Sequence, residues 1–482
     1  MLETVQLLEQ VDDRLASATL VGKDVEDARH PCKAGYPAVA PDDSASRVSI
    51  ARGTFIGLRA DVLTAASALL LSVIVARGLG PENRGVFFLA LLVASVIALV
   101  GNLGLSTASI VFASTGEIPL TQLHGIAVLF SFGAALAGAA LLLGAEGFWT
   151  SEVLKGLDTG TIALLCLGIA PTLYAQVAQA LLTGLGRIPY VSAVRIGVAV
   201  ANPILLIPVV VITNDPNWAV VVWLAVMAGN ALALGVYLFS RVGRPARPTA
   251  HVLRRVVSFG TRGYVGTVAH QGFLRVDVFF ISARFGPGLV GIYSLASVFA
   301  EQISLLGKAV YGASARSIGE LESESSAQLT ARIVRLLVAL MVPVAIVLAA
   351  LAKPGFPLVF GEDFEQAALP FALLLPGTIC LALWYVVGLY IISSLRRPGT
   401  TSLIQGGALI ASLPLYYFAI RAWEMTGGAI VSSATYASVL ACGVAIMLSN
   451  STVRLRDLVP GPDDVASLLH FGRSALSGRS GG

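Results

Sequence analysis

The sequence predicts an all-α, polytopic membrane protein of about twelve transmembrane helices, arranged as two parallel repeats of six. Three observations carry this expectation. Of 482 residues, 56% are apolar and only 12% are charged, about half the charged share of soluble domains. Mean hydropathy is +0.81, and the uncharged runs reach the roughly 20 residues that a helix needs to cross hydrocarbon. Finally, a segment near residue 80 recurs near residue 286. A soluble enzyme of several domains is thereby set aside.

The elements follow in chain order. Residues 1–50 form a separate, acidic region with nine Asp and Glu and no apolar run long enough for a secretory leader. Within it Leu2, Val5, Leu8, Val11 and Leu15 recur at helical spacing, which predicts a short amphipathic helix. The stretch Lys23 to Ser46, rich in Asp, Ala and Pro, reads as a linker. Such a tail is either a dispensable solvated segment or a docking helix for partner proteins.

Twelve spans are predicted at about 55–79, 86–113, 122–144, 159–185, 190–213, 217–240, 258–283, 289–314, 331–352, 367–395, 400–420 and 428–449. They divide into a first lobe (51–240), a basic linker (241–257), a second lobe (258–450) and a carboxyl tail (451–482). The longest loops expected outside, about 145–158 and 353–366, are too small for a folded domain.

Of the 32 basic residues 27 are arginine, and most stand at the ends of apolar runs, so the net charge of +4 and pI near 8.9 report topology rather than nucleic-acid binding. With the amino end inside, fourteen Arg fall at inner ends and six Arg or Lys at outer ends, Arg77 and Arg84 among the latter. That asymmetry places both termini in the cytoplasm. Cys32, Cys166, Cys380 and Cys442 lie far apart and give neither a disulfide framework nor a metal-ligand spacing. The sequon at Asn450-Ser451-Thr452 falls on the expected inner side and carries no weight.

The repeat is explicit. At a constant offset of 206, nine of the thirty residues from Gly80 to Ser109 are identical, where about three are expected by chance. Gly80 pairs with Gly286, Pro81 with Pro287, Gly85 with Gly291, and Gly101 with Gly307. Six spans per half give both halves one orientation. The simplest role for the Gly-Pro segments is a tight turn between helices.

Leu79-Gly80-Pro81, Gly85, Phe87 and Gly104-Leu105 resemble the opening of the polysaccharide biosynthesis, or oligosaccharide-lipid flippase, branch of the multidrug, oligosaccharidyl-lipid and polysaccharide exporter superfamily. Arg275-Val276-Asp277, Gly286-Pro287, Val290-Gly291-Ile292-Tyr293, Ala296 and Phe360-Gly361-Glu362-Asp363-Phe364 are similar to its second half. The resemblance covers about residues 50–450. It implies two six-helix lobes around a central cavity lined by spans one, two, seven and eight, and export of a lipid-linked oligosaccharide by alternating access. It leaves the tail outside the pattern and gives it no role; glycan-assembly proteins are the partners expected for it if it is a docking helix rather than a dispensable segment.

Ionisable side chains inside spans are costly and mark function or pairing. Spans two, four, six, ten, eleven and twelve have none in their apolar cores, whereas spans seven and eight hold Arg262, His270, Arg275, Asp277, Glu301 and Lys308, and span one adds Arg59 and Asp61. On a continuous span eight, Ser294, Ser297, Glu301, Ser304, Lys308 and Tyr311 share one polar face. On a continuous span seven, Arg262, His270 and Asp277 fall within about 80° of one another and Arg275 points elsewhere. The cations Arg59, Arg262, Arg275 and Lys308, with Ser297 and Ser304, are the candidates for binding an anionic diphosphate head. Asp61, Asp277, Glu301 and His270 are the candidates for coupling to H⁺ or Na⁺. Weaker polar faces are formed by Gln176, Gln179 and Thr183 on span four and by Arg195 with Asn202 on span five, where helix packing suffices as a reason.

No phosphate loop, dinucleotide fingerprint, zinc pattern or nucleophile elbow is present, so the sequence supports neither catalysis nor a bound cofactor. The rival readings are a multidrug cation antiporter of the same superfamily, a membrane glycosyltransferase or polymerase, and a scaffold that does not transport.

Overall fold

The computed structural model describes the backbone of residues 43–461 and Asp464, with side chains from residue 60 onward except that of Arg316. The stretch Leu2 to Leu15, the linker up to residue 42 and Cys32 lie outside the described residues, as does the end of the carboxyl tail. The regular structure described is helical throughout. In hydrocarbon this follows from the backbone, since a helix satisfies its own N–H and C=O groups.

Nine segments of the described residues are long and apolar enough to cross a membrane. Two of these are folded at a kink into two passes each: Asp43–Asn102 at Gly80 (φ 70°) and Pro398–Ser449 at Trp423 and Glu424. The seventh pass, Ala250–Phe273 followed by Val276–Phe285, completes twelve. The chain is therefore a multi-pass membrane protein of two six-helix repeats. The passes are 43–79; 81–102 continued by Leu105–Thr115; Leu120–Gly144; Thr159–Gly184; Ile188–Thr213; Pro216–Arg241; the seventh; Pro287–Glu301 continued by Ser304–Glu320; Ser323–Phe360; Ala368–Ser393; 398–422; and 425–449.

Local chemistry sets the turns. Gly80 and Gly286 take positive φ (70° and 81°), and Pro81 and Pro287 open the next helices, where a missing N–H costs nothing. Asp158 caps the fourth pass by accepting from the Thr161 hydroxyl and amide, which hold its carboxyl below the usual range. The apolar side chains left outside, such as Ile212 (79% exposed) and Leu403 (78%), face lipid.

Three expectations need correction. The seventh and eighth passes are not continuous helices: the seventh is interrupted at Leu274 and Arg275, and the eighth at Gln302 and Ile303. The single angular wheel that set Arg275 apart from Asp277 therefore does not hold. The ninth pass runs from Ser323 to Phe360, well beyond 331–352, so the supposed loop 353–366 is mostly helix. The first helix of the described residues runs from Asp43, inside the segment read as linker.

Candidate functional site

The two halves meet most tightly at their Gly-Pro ends. A β-carbon on Gly85 would overlap the carbonyl oxygen of Pro287, and one on Gly291 would overlap that of Pro81. These are the same pair of positions in the two repeats, 206 residues apart, so the contact is a pseudo-twofold crossing of the second and eighth passes. Glycine serves here for close backbone approach, which corrects the turn-only reading of Gly85 and Gly291. Three polar ties close the same end. Arg84, 4% exposed, donates to the Gly291 carbonyl and to Ser294 Oγ at 2.6 Å. Arg77 donates to the carbonyls of Val359 (2.7 Å) and Leu358 (2.5 Å) at the end of the ninth pass. Ser282 Oγ donates to the Val153 carbonyl at 2.8 Å.

At the opposite end the second pass meets the seventh. Gly104 (φ 78°) and Gly260 pack backbone to backbone, Tyr264 donates to the Leu99 carbonyl at 2.6 Å, and the rings of Phe112 and Phe259 lie 5.2 Å apart. Arg255 pairs with Glu117 and lies over the Phe112 ring.

Midway, the interruptions of the seventh and eighth passes face each other. Arg275 sits at the first and Glu301 at the second. They form a two-pronged ion pair, Nη1 to Oε1 at 2.5 Å and Nη2 to Oε2 at 2.8 Å. The fork geometry suits a guanidinium and a carboxylate. Ser297 Oγ donates to Glu301 Oε1 at 3.1 Å, and Ser304 Oγ to the Glu301 carbonyl at 2.7 Å. Both serines are buried, so each gives its proton to Glu301 in this state. Lys308 is exposed, with Nζ 5.5 Å from the centre of the Tyr385 ring. His270 Nε2 lies 3.2 Å from the Tyr385 hydroxyl, so Tyr385 bridges the seventh and eighth passes.

Asp277 is separate from this cluster. It is 1% exposed and accepts three hydrogen bonds, from the Val278 amide (2.8 Å), the Tyr293 hydroxyl (2.5 Å) and Ser432 Oγ (2.9 Å). Tyr416 reaches the same serine at 3.0 Å. The carboxylate is thus held inside the second half, among the seventh, eighth, eleventh and twelfth passes. In the first half, Asp61 pairs with Arg195 at 2.6 Å, joining the first and fifth passes. The Arg59 side chain lies outside the described residues.

The family profile described as polysaccharide biosynthesis protein matches residues 74–369, more than half of the chain. The chain belongs to that family.

Polysaccharide biosynthesis proteins are here joined by a likeness of fold to solved structures. Among these is the lipid II flippase MurJ in its inward closed conformation, at 12% identity, TM-score 0.68, covering 89% of this chain and 94% of that one. An inward-facing multidrug resistance transporter of the MATE family and MOP superfamily has 15% identity and TM-score 0.60, over 82% of this chain and 97% of that one. The Vibrio cholerae MATE transporter VcmN has 15% identity and TM-score 0.59, over 84% and 97%. At such identities the likeness is one of fold. No curated protein matches the sequence.

Among the sequence-selected residues of this polysaccharide biosynthesis protein, the fold brings together Arg275, Glu301, Ser297 and Ser304, and places Lys308, Tyr385 and His270 beside them. It leaves Asp277, Asp61 and Arg262 elsewhere. Sequence reasoning took Arg84 for an end-of-span marker, whereas it is a buried tie between halves. The available signal was its place beside Gly85 in the repeat. The Asp61–Arg195 pair was also missed, since nothing in a sequence joins residues 134 apart.

Proposed function

We propose that this protein is a flippase of the cytoplasmic membrane in a bacterial cell, moving a lipid-linked oligosaccharide on a polyprenyl diphosphate to the outer leaflet by alternating access, for cell-surface polysaccharide. It acts as a transporter and not as an enzyme. Both termini are cytoplasmic, as the arginine asymmetry requires, so the closed Gly-Pro end is the outer one. Family membership and the fold shared with a lipid II flippase support this reading.

One observation carries the choice of an anionic cargo. Within the passes, Arg195 and Arg275 each face a carboxylate, whereas Arg262 and Lys308 are exposed and have no ion-pair partner among the described residues. Arg262 and Lys308, exposed on the seventh and eighth passes, suit a diphosphate, to which a guanidinium and an ammonium both donate. Arg275 and Arg59 are the further contacts in this reading, Arg275 after exchange of Glu301 for phosphate oxygens. The polyprenyl chain stays in lipid.

Net export needs an energy source, and the carboxylates Asp61, Asp277 and Glu301, with His270, are the groups through which H⁺ or Na⁺ would couple. Asp277 is favoured because its three donors and its burial make it a defined site. The acidic tail would recruit glycan-assembly proteins. A multidrug resistance transporter also has this fold, and the rival reading, export of a cationic drug, is disfavoured because Arg262 and Lys308 would repel such a cargo.

Binding to protein in nanodiscs tests the cargo. A polyprenyl diphosphate should bind to wild type and bind about tenfold more weakly to Arg262→Gln or Lys308→Gln, each having lost one charge-assisted contact. Equal binding by both variants, or competition by a hydrophobic cation instead, would overturn the assignment.

A further inference from the structure

Behind the first pass lies a cavity of about 240 Å³, walled by the first, fourth, fifth and sixth passes of the first half. It is smaller than the roughly 300–1,000 Å³ of pockets for drug-sized ligands, and holds the volume of about eight waters at ~30 Å³ each. One ring fits it, not a whole glycan. Its polar wall is Thr64, Ser67, Gln179, Arg195, Asn202 and Asn230.

The wall offers donors, the amide N–H groups of Gln179, Asn202 and Asn230 and the Arg195 guanidinium, and acceptors as well. Thr64 gives its hydroxyl proton to the Ala60 carbonyl at 2.7 Å and Ser67 gives its own to the Ala199 carbonyl, which leaves both oxygens as acceptors. Asn230 is 9% exposed, and its side-chain oxygen has no partner. A buried acceptor without a partner calls for a donor brought by a ligand or by water. Charge narrows the choice. Arg195 is the cation of the wall, and Asp61 neutralises it at 2.6 Å. An anion therefore gains little here compared with the exposed cations of the second half, and a metal ion or organic cation would meet a guanidinium. Leu71 and Val198 add apolar wall suited to the C–H face of a ring. A neutral group with several hydroxyls and an apolar face meets every one of these conditions.

We infer that this cavity is a subsite for one sugar unit of the cargo, its hydroxyls donating to Asn230 and to the Thr64 and Ser67 oxygens. The inference rests on the flippase reading and adds a division of labour to it. The second half holds the charged diphosphate, and the first half holds a neutral sugar, so a glycan-bearing lipid would bridge the halves where a bare lipid engages one.

The test uses the whole chain in nanodiscs and two probes, polyprenyl diphosphate carrying a trisaccharide and the same lipid without sugar. Ala68→Leu narrows the cavity, and Asn230→Leu removes the unpaired acceptor at similar volume. Each should weaken binding of the glycan-bearing lipid about tenfold and leave binding of the bare lipid as in wild type, which also shows that the variants fold. A second measurement needs no loss of packing. With the native cysteines replaced by serine, Ala68→Cys should be shielded from a small thiol reagent by the glycan-bearing lipid and not by the bare lipid. If the two lipids bind alike in the leucine variants and shield the cysteine alike, the cavity holds only water and the proposal falls, while the flippase reading stands. If wild type binds neither lipid, the flippase reading falls and the subsite with it.

Discussion

Arg84 on the second pass and Gly291 on the eighth are joined by a buried hydrogen bond from guanidinium to main-chain carbonyl, 207 residues apart in sequence. One prong of the same guanidinium also serves Ser294. A charged side chain with 4% exposure that binds no carboxylate here holds its place by uncharged acceptors of the other half. Opening of the Gly-Pro end must break these bonds.

Replacing Arg84 by Met keeps length and removes the donors. The variant should lose about 1.5–3 kcal/mol of the closed arrangement, the range for hydrogen bonds to charged groups. Ser297, buried at 4% exposure below this tie, is the reporter. A Ser297→Cys side chain should react several-fold faster with a membrane-impermeant thiol reagent added from outside when Arg84→Met is also present. Unchanged reactivity would show that Arg84 does not hold the end shut.

The glycine crossing gives a prediction from symmetry. Gly85→Ala and Gly291→Ala each push a β-carbon into main-chain atoms of the other half, which side-chain rotation cannot relieve. Both should shift the protein toward the outward-open state to a similar degree. The double variant should do little more than either, because both act on one contact. Additive effects, measured by the same cysteine reporter, would mean that the two glycines act in separate places.

The Arg275–Glu301 pair separates structural from transport roles. Arg275→Gln strands a half-buried carboxylate, so it should lower the melting temperature. Adding Glu301→Gln should restore much of the loss, since breaking a buried pair costs more than removing it. Their side chains are 25% and 18% exposed, so the cost should fall short of the 3–5 kcal/mol typical of fully buried pairs. Lys308→Gln breaks no ion pair, only the contact with the Tyr385 ring, and should lower melting less than Arg275→Gln while reducing transport. A Lys308→Gln variant that melts as early as Arg275→Gln but transports normally would reverse these assignments.

Asp277 accepts from three donors at once, which an amide cannot do with its single oxygen. Asp277→Asn should therefore destabilise the second half by about 1–3 kcal/mol. It should also remove the dependence of transport on an imposed H⁺ or Na⁺ gradient while leaving binding of the diphosphate lipid intact. Retained gradient dependence in proteoliposomes would move the coupling site away from Asp277.

The number of passes, the repeat and the charged seventh and eighth spans were legible in the sequence, because hydropathy, a constant offset and isolated charges are all local signals. The interruptions at Arg275 and Gln302 were not. No Gly or Pro stands at either break as Gly80 and Pro81 do at theirs, Gly272 lying within the helix before the first, and the break at Arg275 is matched by its pairing with Glu301, a contact 26 residues away. The cavity behind the first pass was equally hidden. Gln179, Arg195 and Asn202 stood out as polar faces, but only packing of four passes shows that they share a space with Asn230.

The most direct measurement is transport itself. Purified protein reconstituted into liposomes containing a polyprenyl diphosphate oligosaccharide should carry the glycan from one leaflet to the other, read as glycan newly accessible to an external glycan-cleaving enzyme. Transfer should fall in Lys308→Gln and should not be competed by hydrophobic cations. Liposomes in which the glycan stays in its leaflet while a hydrophobic cation is carried against an ion gradient would contradict the account.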